Sequence, residues 1–211
     1  MRCSENGKPL ARCFRMQHAP PLPAFAAIIV AAGKGIRAGQ PLPKQFAKWR
    51  GKPVLRHSVE TLLENGEAAA HTALDGLAGY TLVAGGVTRQ QSVARALSAI
   101  ESADTVLIHD AARPDLPRAV IERLLGALET HAGAIPVLPV VDSLAFEEEG
   151  LMAGAAPREH LRRVQTPQAF RFAAIRDAHA TWAGEADAGD DAQVLRASGG
   201  DIAHVAGDER L

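Results

Sequence analysis

The chain is expected to fold as one α/β domain of three layers, a mostly parallel sheet with helices on both faces. Three observations lead there. Apolar runs of strand length alternate with segments whose apolar residues recur at helical spacing. The first run, AAIIV at 26–30, is continuous rather than alternating, which suits a strand covered on both faces. Directly after it comes a glycine-rich loop with two well-separated cations, Arg37 and Lys44. A length of 211 residues with 47% hydrophobic content suffices for one sizeable core.

Taken in order, residues 1–25 read as a disordered leader, with Pro20, Pro21 and Pro23 near its end and Met16 as an alternative start. After the strand at 26–30, Val54, Leu55, Val59, Leu62 and Leu63 fall at helical spacing and stop at Asn65-Gly66. A short strand is expected over 80–83 and a helix over 89–100. Residues 105–109 read as the next strand, and a helix over 117–130 turns Val120, Leu124, Leu125 and Leu128 inward. A further strand covers 135–141. From Pro139 the pattern changes to a strand that leaves the sheet, turns through 147–150 and returns.

Composition narrows the classes. A formal charge of -1 lends no support to a bulk nucleic-acid or membrane-surface role, so cations matter here only locally. Cys3 and Cys13 both precede the first strand and form neither a disulfide framework nor a zinc pattern. No apolar run reaches the length of a membrane span, and residues 1–25 lack the apolar centre of a secretory signal. A cytoplasmic location is the expectation.

Four segments carry chemistry. In the first, Ala31, Ala32, Gly33 and Gly35 have almost no side chain, so their backbone N–H groups approach phosphate oxygens closely. Arg37 and Lys44 add the charge a polyphosphate needs during phosphoryl or nucleotidyl transfer. The match of Gly33-x-Gly35-x-x-Ala38 to a dinucleotide fingerprint is formal only. Gly39, Pro41 and Pro43 stop an early helix, and Gly51-Lys52-Pro53 stands where an acidic residue belongs. In the second segment, GGVTRQQSV at 85–93, glycines permit approach to a base, and Arg89 and Ser92 share one face of a first helical turn; an ordinary Gly-Gly turn would read the same way. The third, HDAARP at 109–114, ends a strand with Asp110, a natural ligand for Mg²⁺, and places Arg113 three residues on. His109 invites an acid/base role, but a histidine at a strand end is commonly a hydrogen-bonded structural residue, and no catalysis is assigned to it. The fourth is RRVQTPQAF at 162–170.

These blocks, in this order and with AAGKGIRAGQPLPKQF at 31–46, resemble the sugar- and polyol-phosphate nucleotidyltransferases, specifically the 2-C-methyl-D-erythritol 4-phosphate cytidylyltransferase family, over about residues 26–205. The resemblance implies a Rossmann-like nucleotidyltransferase fold and transfer of CMP from CTP to methylerythritol phosphate with Mg²⁺. It gives Arg37, Lys44 and Arg158 the catalytic charges. Cytosine and phosphates fall to Gly86, Arg89 and Ser92, nucleotide and metal to Asp110, and the acceptor to Arg113, Ser143 and Arg158. It further implies that the excursion over about 139–165 is an arm clasping a second subunit.

In that reaction an acceptor phosphate, already anionic, attacks the α-phosphorus in line, so no general base is required. The chain departs from the family pattern at four places. EAAAHTALDGLAG at 67–79 stands where relatives have a whole strand, so a sheet strand is expected to be missing. Gly189-Asp190-Asp191-Ala192 replaces TDDA, Ile36 and Ala38 alter the first loop, and the relatives' KVT lysine and last helix have no counterpart before Leu211. Two alternatives stay open: another acceptor such as ribitol 5-phosphate, or a catalytically impaired CTP-binding relative.

Overall fold

The computed structural model describes residues 21–31, 44–65, 67–69, 80–182 and 189–211. The first half runs β1 (Ala26–Val30), a 3-10 turn (Lys44–Phe46), β2 (Lys48–Trp49), β3 (Lys52–Pro53), α1 (Val54–Asn65), β4 (Glu67–Ala69), α2 (Arg89–Ser98), β5 (Thr105–Asp110) and α3 (Arg118–Ala127). The second half runs β6 (Gly133–Pro139), β7 (Leu144–Glu148), β8 (Leu151–Ala156), β9 (Arg162–Val164), β10 (Gln168–Arg171), α4 (Phe172–Thr181), α5 (Asp191–Ala197) and β11 (Ile202–Ala206).

The main sheet is ordered β11-β6-β10-β5-β1-β4, with β9 paired to β6. Strands β1, β4, β5, β6 and β11 share one direction, and β9 and β10 run against them, so the sheet is mixed. Side chains alternate across it as the pleat requires. Ala27, Ile29 and Leu107 face a core shared with Leu55, Val59 and Leu62 of α1 and Val120, Ile121 and Leu124 of α3. Ile28, Val106, Ile108 and Phe170 face a second core built with α2, α4 and α5. Two cores on opposite faces are what makes three layers. The spacing of Leu55, Val59 and Leu62 puts all three on one stripe of α1, and each is fully buried, contributing about 1.5–3 kcal/mol.

The structure corrects the sequence reading at several points. The strand expected to be missing is present: β4 lies parallel to β1 with Ala26 opposite Glu67. Backbone pairing needs no particular side chain, so an alanine-rich segment supplies it despite poor strand propensity. Residues 80–83, expected as a strand, pair with no strand among the described residues. Tyr80 rests on the core, Thr81 and Leu82 are exposed, and the described sheet ends on this side at the three-residue β4. Strand β6 begins at Gly133 and ends at Pro139, and from Val141 the chain is continuously exposed through Gly150. Ordered packing also starts before Ala26: Phe25 is 4% exposed and Leu22 packs against the same core.

Between β6 and β9 the chain forms the β7–β8 hairpin, closed by Glu149 and Gly150 at φ 51° and 79°, the left-handed pair a two-residue hairpin turn requires. It pairs with no strand of the main sheet and leaves Phe146, Leu151 and Met152 58%, 74% and 73% exposed. Among the described residues Phe170 is the largest fully buried side chain, and it fills the space between β10 and the second helical layer. Phe170→Ala is expected to destabilise the fold by about 3–5 kcal/mol, read as a lowered urea midpoint with an unchanged slope.

Candidate active site

The carboxyl ends of β1 and β5 lie side by side, with Val30 in register with Asp110. Ligands of open α/β sheets bind along this edge. Ala32, Gly33, Gly35 and Arg37 lie outside the described residues. Both ends of their loop are placed. Ala31, just past β1, accepts a hydrogen bond on its carbonyl from Gln45 Nε2 at 2.8 Å, and Gln45 is itself buried. Lys44 precedes it, exposed, with its carbonyl taken by the Ala47 N–H at 3.2 Å. The lysine is thereby tied to the end of β1 although thirteen positions separate Ala31 from Lys44 in the chain.

The glycine block turns into α2 through an N-cap, Thr88, whose Oγ1 accepts from the Gln91 N–H at 3.1 Å. Ser92 Oγ donates back to the Thr88 carbonyl at 2.9 Å and accepts the Gly86 N–H at 3.0 Å. A Cβ on Gly86 would lie 2.3 Å from that of Gln91. Gly86 and Ser92 therefore have work within the turn itself. Arg89, in the first turn of the same helix, reaches two carboxylates, Asp191 Oδ2 at 2.6 Å and Asp110 Oδ1 at 3.5 Å. Burial by itself would lower its pKa, but the two carboxylates, Asp191 ahead of Asp110, outweigh it and raise it, so the guanidinium stays charged.

Asp110 is the half-exposed tip of β5, its side chain 41% accessible. Its N–H donates to Thr166 Oγ1 at 3.1 Å. Behind it His109 is fully buried: Nε2 lies 2.9 Å from the Arg113 carbonyl and Nδ1 3.3 Å from Thr166 Oγ1. A carbonyl only accepts, so Nε2 carries the hydrogen and Nδ1 accepts from the threonine hydroxyl. Burial pushes the imidazole down to about 4, only partly offset by the bond to the Arg113 carbonyl. The histidine is a neutral brace. Arg113 follows on a turn held by its own N–H to the Asp110 carbonyl at 3.1 Å. Gln168, fully buried, joins β10 to α5 by donating to Asp190 Oδ2 and accepting from the Ala192 N–H, both at 3.0 Å.

Arg158 and Ser143 are brought together at the root of the hairpin, where Arg158 Nη1 donates to the Val141 carbonyl at 2.6 Å. Among the described residues no hydrogen bond or ion pair joins that pair to Asp110 or Arg89. A cavity of about 620 Å³ opens at the opposite end of the sheet, between Phe25, Asp104, Phe172 and Arg176. It belongs to the amino ends of β1 and β5, away from Asp110. Sequence reasoning missed Gln45, Thr166, Gln168, His179 and Asp191 as organising residues; all but His179 stand inside blocks it had singled out.

A mixed sheet in three layers, with a lysine tied to the end of the first strand and a carboxylate at the tip of its neighbour, defines a nucleotidyltransferase-type α/β protein. Residues 25–210 match the family described as IspD, 2-C-methyl-D-erythritol 4-phosphate cytidylyltransferase, and the chain belongs to that family. It is 60% identical over 205 residues to the bifunctional enzyme IspD/IspF of Erythrobacter litoralis, a match covering 90% of this chain and 53% of that protein. It is 46% identical over 200 residues to the 2-C-methyl-D-erythritol 4-phosphate cytidylyltransferase of Cereibacter sphaeroides, covering 87% of this chain and 88% of that protein. Among solved structures, the 2-C-methyl-D-erythritol 4-phosphate cytidylyltransferase of Thermus thermophilus superposes with a TM-score of 0.74 at 35% identity, over 88% of this chain and 89% of that one. The chain spans about half the length of the bifunctional relatives it matches.

The buried histidine sets a pH dependence. Folded His109 stays neutral down to about pH 4, whereas an exposed imidazole charges near 6.5. Between those values the unfolded chain binds the extra proton, so stability is full above about 6.5 and falls as pH drops toward 4, by up to roughly 3 kcal/mol from this group. Urea melts across that window should show a His109→Gln variant with a flatter pH profile than wild type. An equal slope in both would contradict the assignment.

Proposed function

We propose that the chain transfers CMP from CTP to 2-C-methyl-D-erythritol 4-phosphate, giving 4-diphosphocytidyl-2-C-methyl-D-erythritol and pyrophosphate. The observation that carries this reading is the pairing of Lys44, tied through Gln45 to the end of β1, with Asp110 at the adjacent end of β5. Family membership supplies the substrates. Lys44 and Arg37 meet the triphosphate and offset charge at the α-phosphorus. Arg158, with Ser143 and Arg113, orients the acceptor phosphate. Gly86, Arg89 and Ser92 shape the seat of the base, with Ala31, Ala32, Gly33 and Gly35 as the phosphate-binding backbone.

The acceptor oxygen is already anionic, so the reaction needs alignment and charge compensation rather than a base. His109, with both ring nitrogens engaged behind Asp110, suits that account. Asp110 fits a magnesium ion by the chemistry of its donors: one half-exposed carboxylate whose ion pair, among the described residues, is the long contact to Arg89. Among the described residues no group of three or more metal-ligating side chains converges, and Asp110 would hold the ion together with substrate phosphate oxygens. Bound there, Mg²⁺ neutralises phosphate charge as it builds.

The exposed apolar hairpin supports a homodimer in which each arm covers the partner's acceptor site. A cytoplasmic enzyme follows from the family, and among the described residues no helix is long and apolar enough to cross a membrane. The impaired-relative reading loses its main motive, since β4 fills the place of the strand expected to be missing. Ribitol 5-phosphate stays as the rival acceptor, because Gly189 stands where relatives carry the threonine of TDDA.

Pyrophosphate release with CTP and each acceptor tests the reading directly: turnover with methylerythritol phosphate is expected, and turnover with ribitol 5-phosphate alone would replace it. Lys44→Ala is expected to lower kcat a hundredfold or more, about 2.7–4 kcal/mol, while CTP affinity changes only a few-fold. Equal losses in both would remove Lys44 from the transition state. Phe146→Asp combined with Met152→Asp should yield a monomer by light scattering, with reduced activity; an intact dimer would rule out the arm as the contact.

A further inference from the structure

Arg89 stands between two carboxylates and treats them unequally. Nη1 lies 2.6 Å from Asp191, while Nη2 is 3.5 Å from Asp110. Exposure is graded along the row, from 0% for the Asp191 side chain through 25% for Arg89 to 41% for Asp110. The short charge-assisted bond to the buried carboxylate is the stronger one, because water screens it least. Asp191 is in turn fixed from behind. Its Oδ1 accepts from His179 Nε2 at 3.1 Å, and its neighbour Asp190 is held by Gln168 and by the Gln193 N–H.

The guanidinium fork matches a carboxylate with two parallel hydrogen bonds when nothing else claims it. Among the described residues, an Arg89 freed from Asp191 has Asp110 as its nearest remaining anion and would take both of its oxygens. Those are the oxygens a hard divalent cation needs, and a full positive charge at contact range opposes that cation further. We propose that Asp191 is a positioning residue that holds Arg89 back from Asp110, keeping the carboxylate at the tip of β5 open to a divalent cation. The inference rests on the reading of Asp110 given above, and adds a role for a fully buried carboxylate behind it.

Mn²⁺ serves as the probe, titrated into the full chain with saturating CTP and followed by water-proton relaxation enhancement, which separates enzyme-bound Mn²⁺ from Mn²⁺ on free nucleotide. Asp191→Asn is expected to raise the half-saturating Mn²⁺ concentration about fivefold. The double variant Asp191→Asn with Arg89→Gln should return it to the wild-type value or below, because the competing cation is gone. A merely structural role for Asp191 predicts instead a double variant at least as weak as the single one. Arg89→Gln alone reads the same competition with Asp191 in place, should the asparagine variant not fold, and is expected to bind Mn²⁺ more tightly than wild type. An unchanged half-saturation in Asp191→Asn, a double variant no tighter than the single, or weaker binding in Arg89→Gln overturns the proposal. Asp110→Asn checks the premise separately: loss of the enzyme-bound signal supports it, and wild-type binding removes the reading of Asp110 and the proposal with it.

Discussion

Parallel pairing of β1 with β5 is the constraint from which the site hangs. Five consecutive register pairs, from Ala26 with Val106 to Val30 with Asp110, bring the two strands to one edge at the same height. The pairing is enforced from both faces, since Ala27, Ile29 and Leu107 belong to one core and Ile28, Val106 and Ile108 to the other. A slip of one residue would exchange the two sets, and no surface is available to take them. The end of β1 then carries the loop that delivers Lys44, and the end of β5 carries Asp110. Apolar packing several residues below holds the two strand ends side by side.

The carboxyl edge is finished by buried polar groups, each with a partner. His109 braces the turn to Arg113, Thr166 fixes the Asp110 backbone, Gln168 ties β10 to α5, and His179 backs Asp191. A buried polar group left unsatisfied costs about 1–3 kcal/mol, so such a network is tolerable only when complete. Completeness makes it rigid. Charge stabilisation in a transition state depends on groups already oriented before the reaction, and rigid placement of Asp110 and Arg89 provides that at the edge where phosphates would lie.

Much of this was legible in the sequence because the central elements obey single rules. The continuous apolar run of β1, the stripe of Leu55, Val59 and Leu62, and the inward set of α3 each state their burial locally. Asp110 was readable as a strand tip for the same reason. Elements that depend on partners were not. β4 consists of three residues, Glu67–Ala69, that pair through backbone alone, and no side-chain pattern marks such a strand. Residues 80–83 have strand-like composition but pair with no strand among the described residues. In the site, Arg89 was read on one helical face with Ser92, yet a buried carboxylate 102 positions away claims it. Gln45, Thr166 and Asp191 share that difficulty: each acts on an atom far along the chain that local spacing does not reveal.

The account places a nucleotide at one end of the sheet and leaves the cavity at the other end without a part in the reaction. A crystal structure of the chain with CTP and Mg²⁺ tests this most directly. The triphosphate is expected at the carboxyl ends of β1 and β5, within hydrogen-bond reach of Lys44 and with Asp110 facing the phosphates. Density for CTP between Phe25, Asp104 and Arg176, or a triphosphate that leaves Lys44 and Asp110 in solvent, would contradict it.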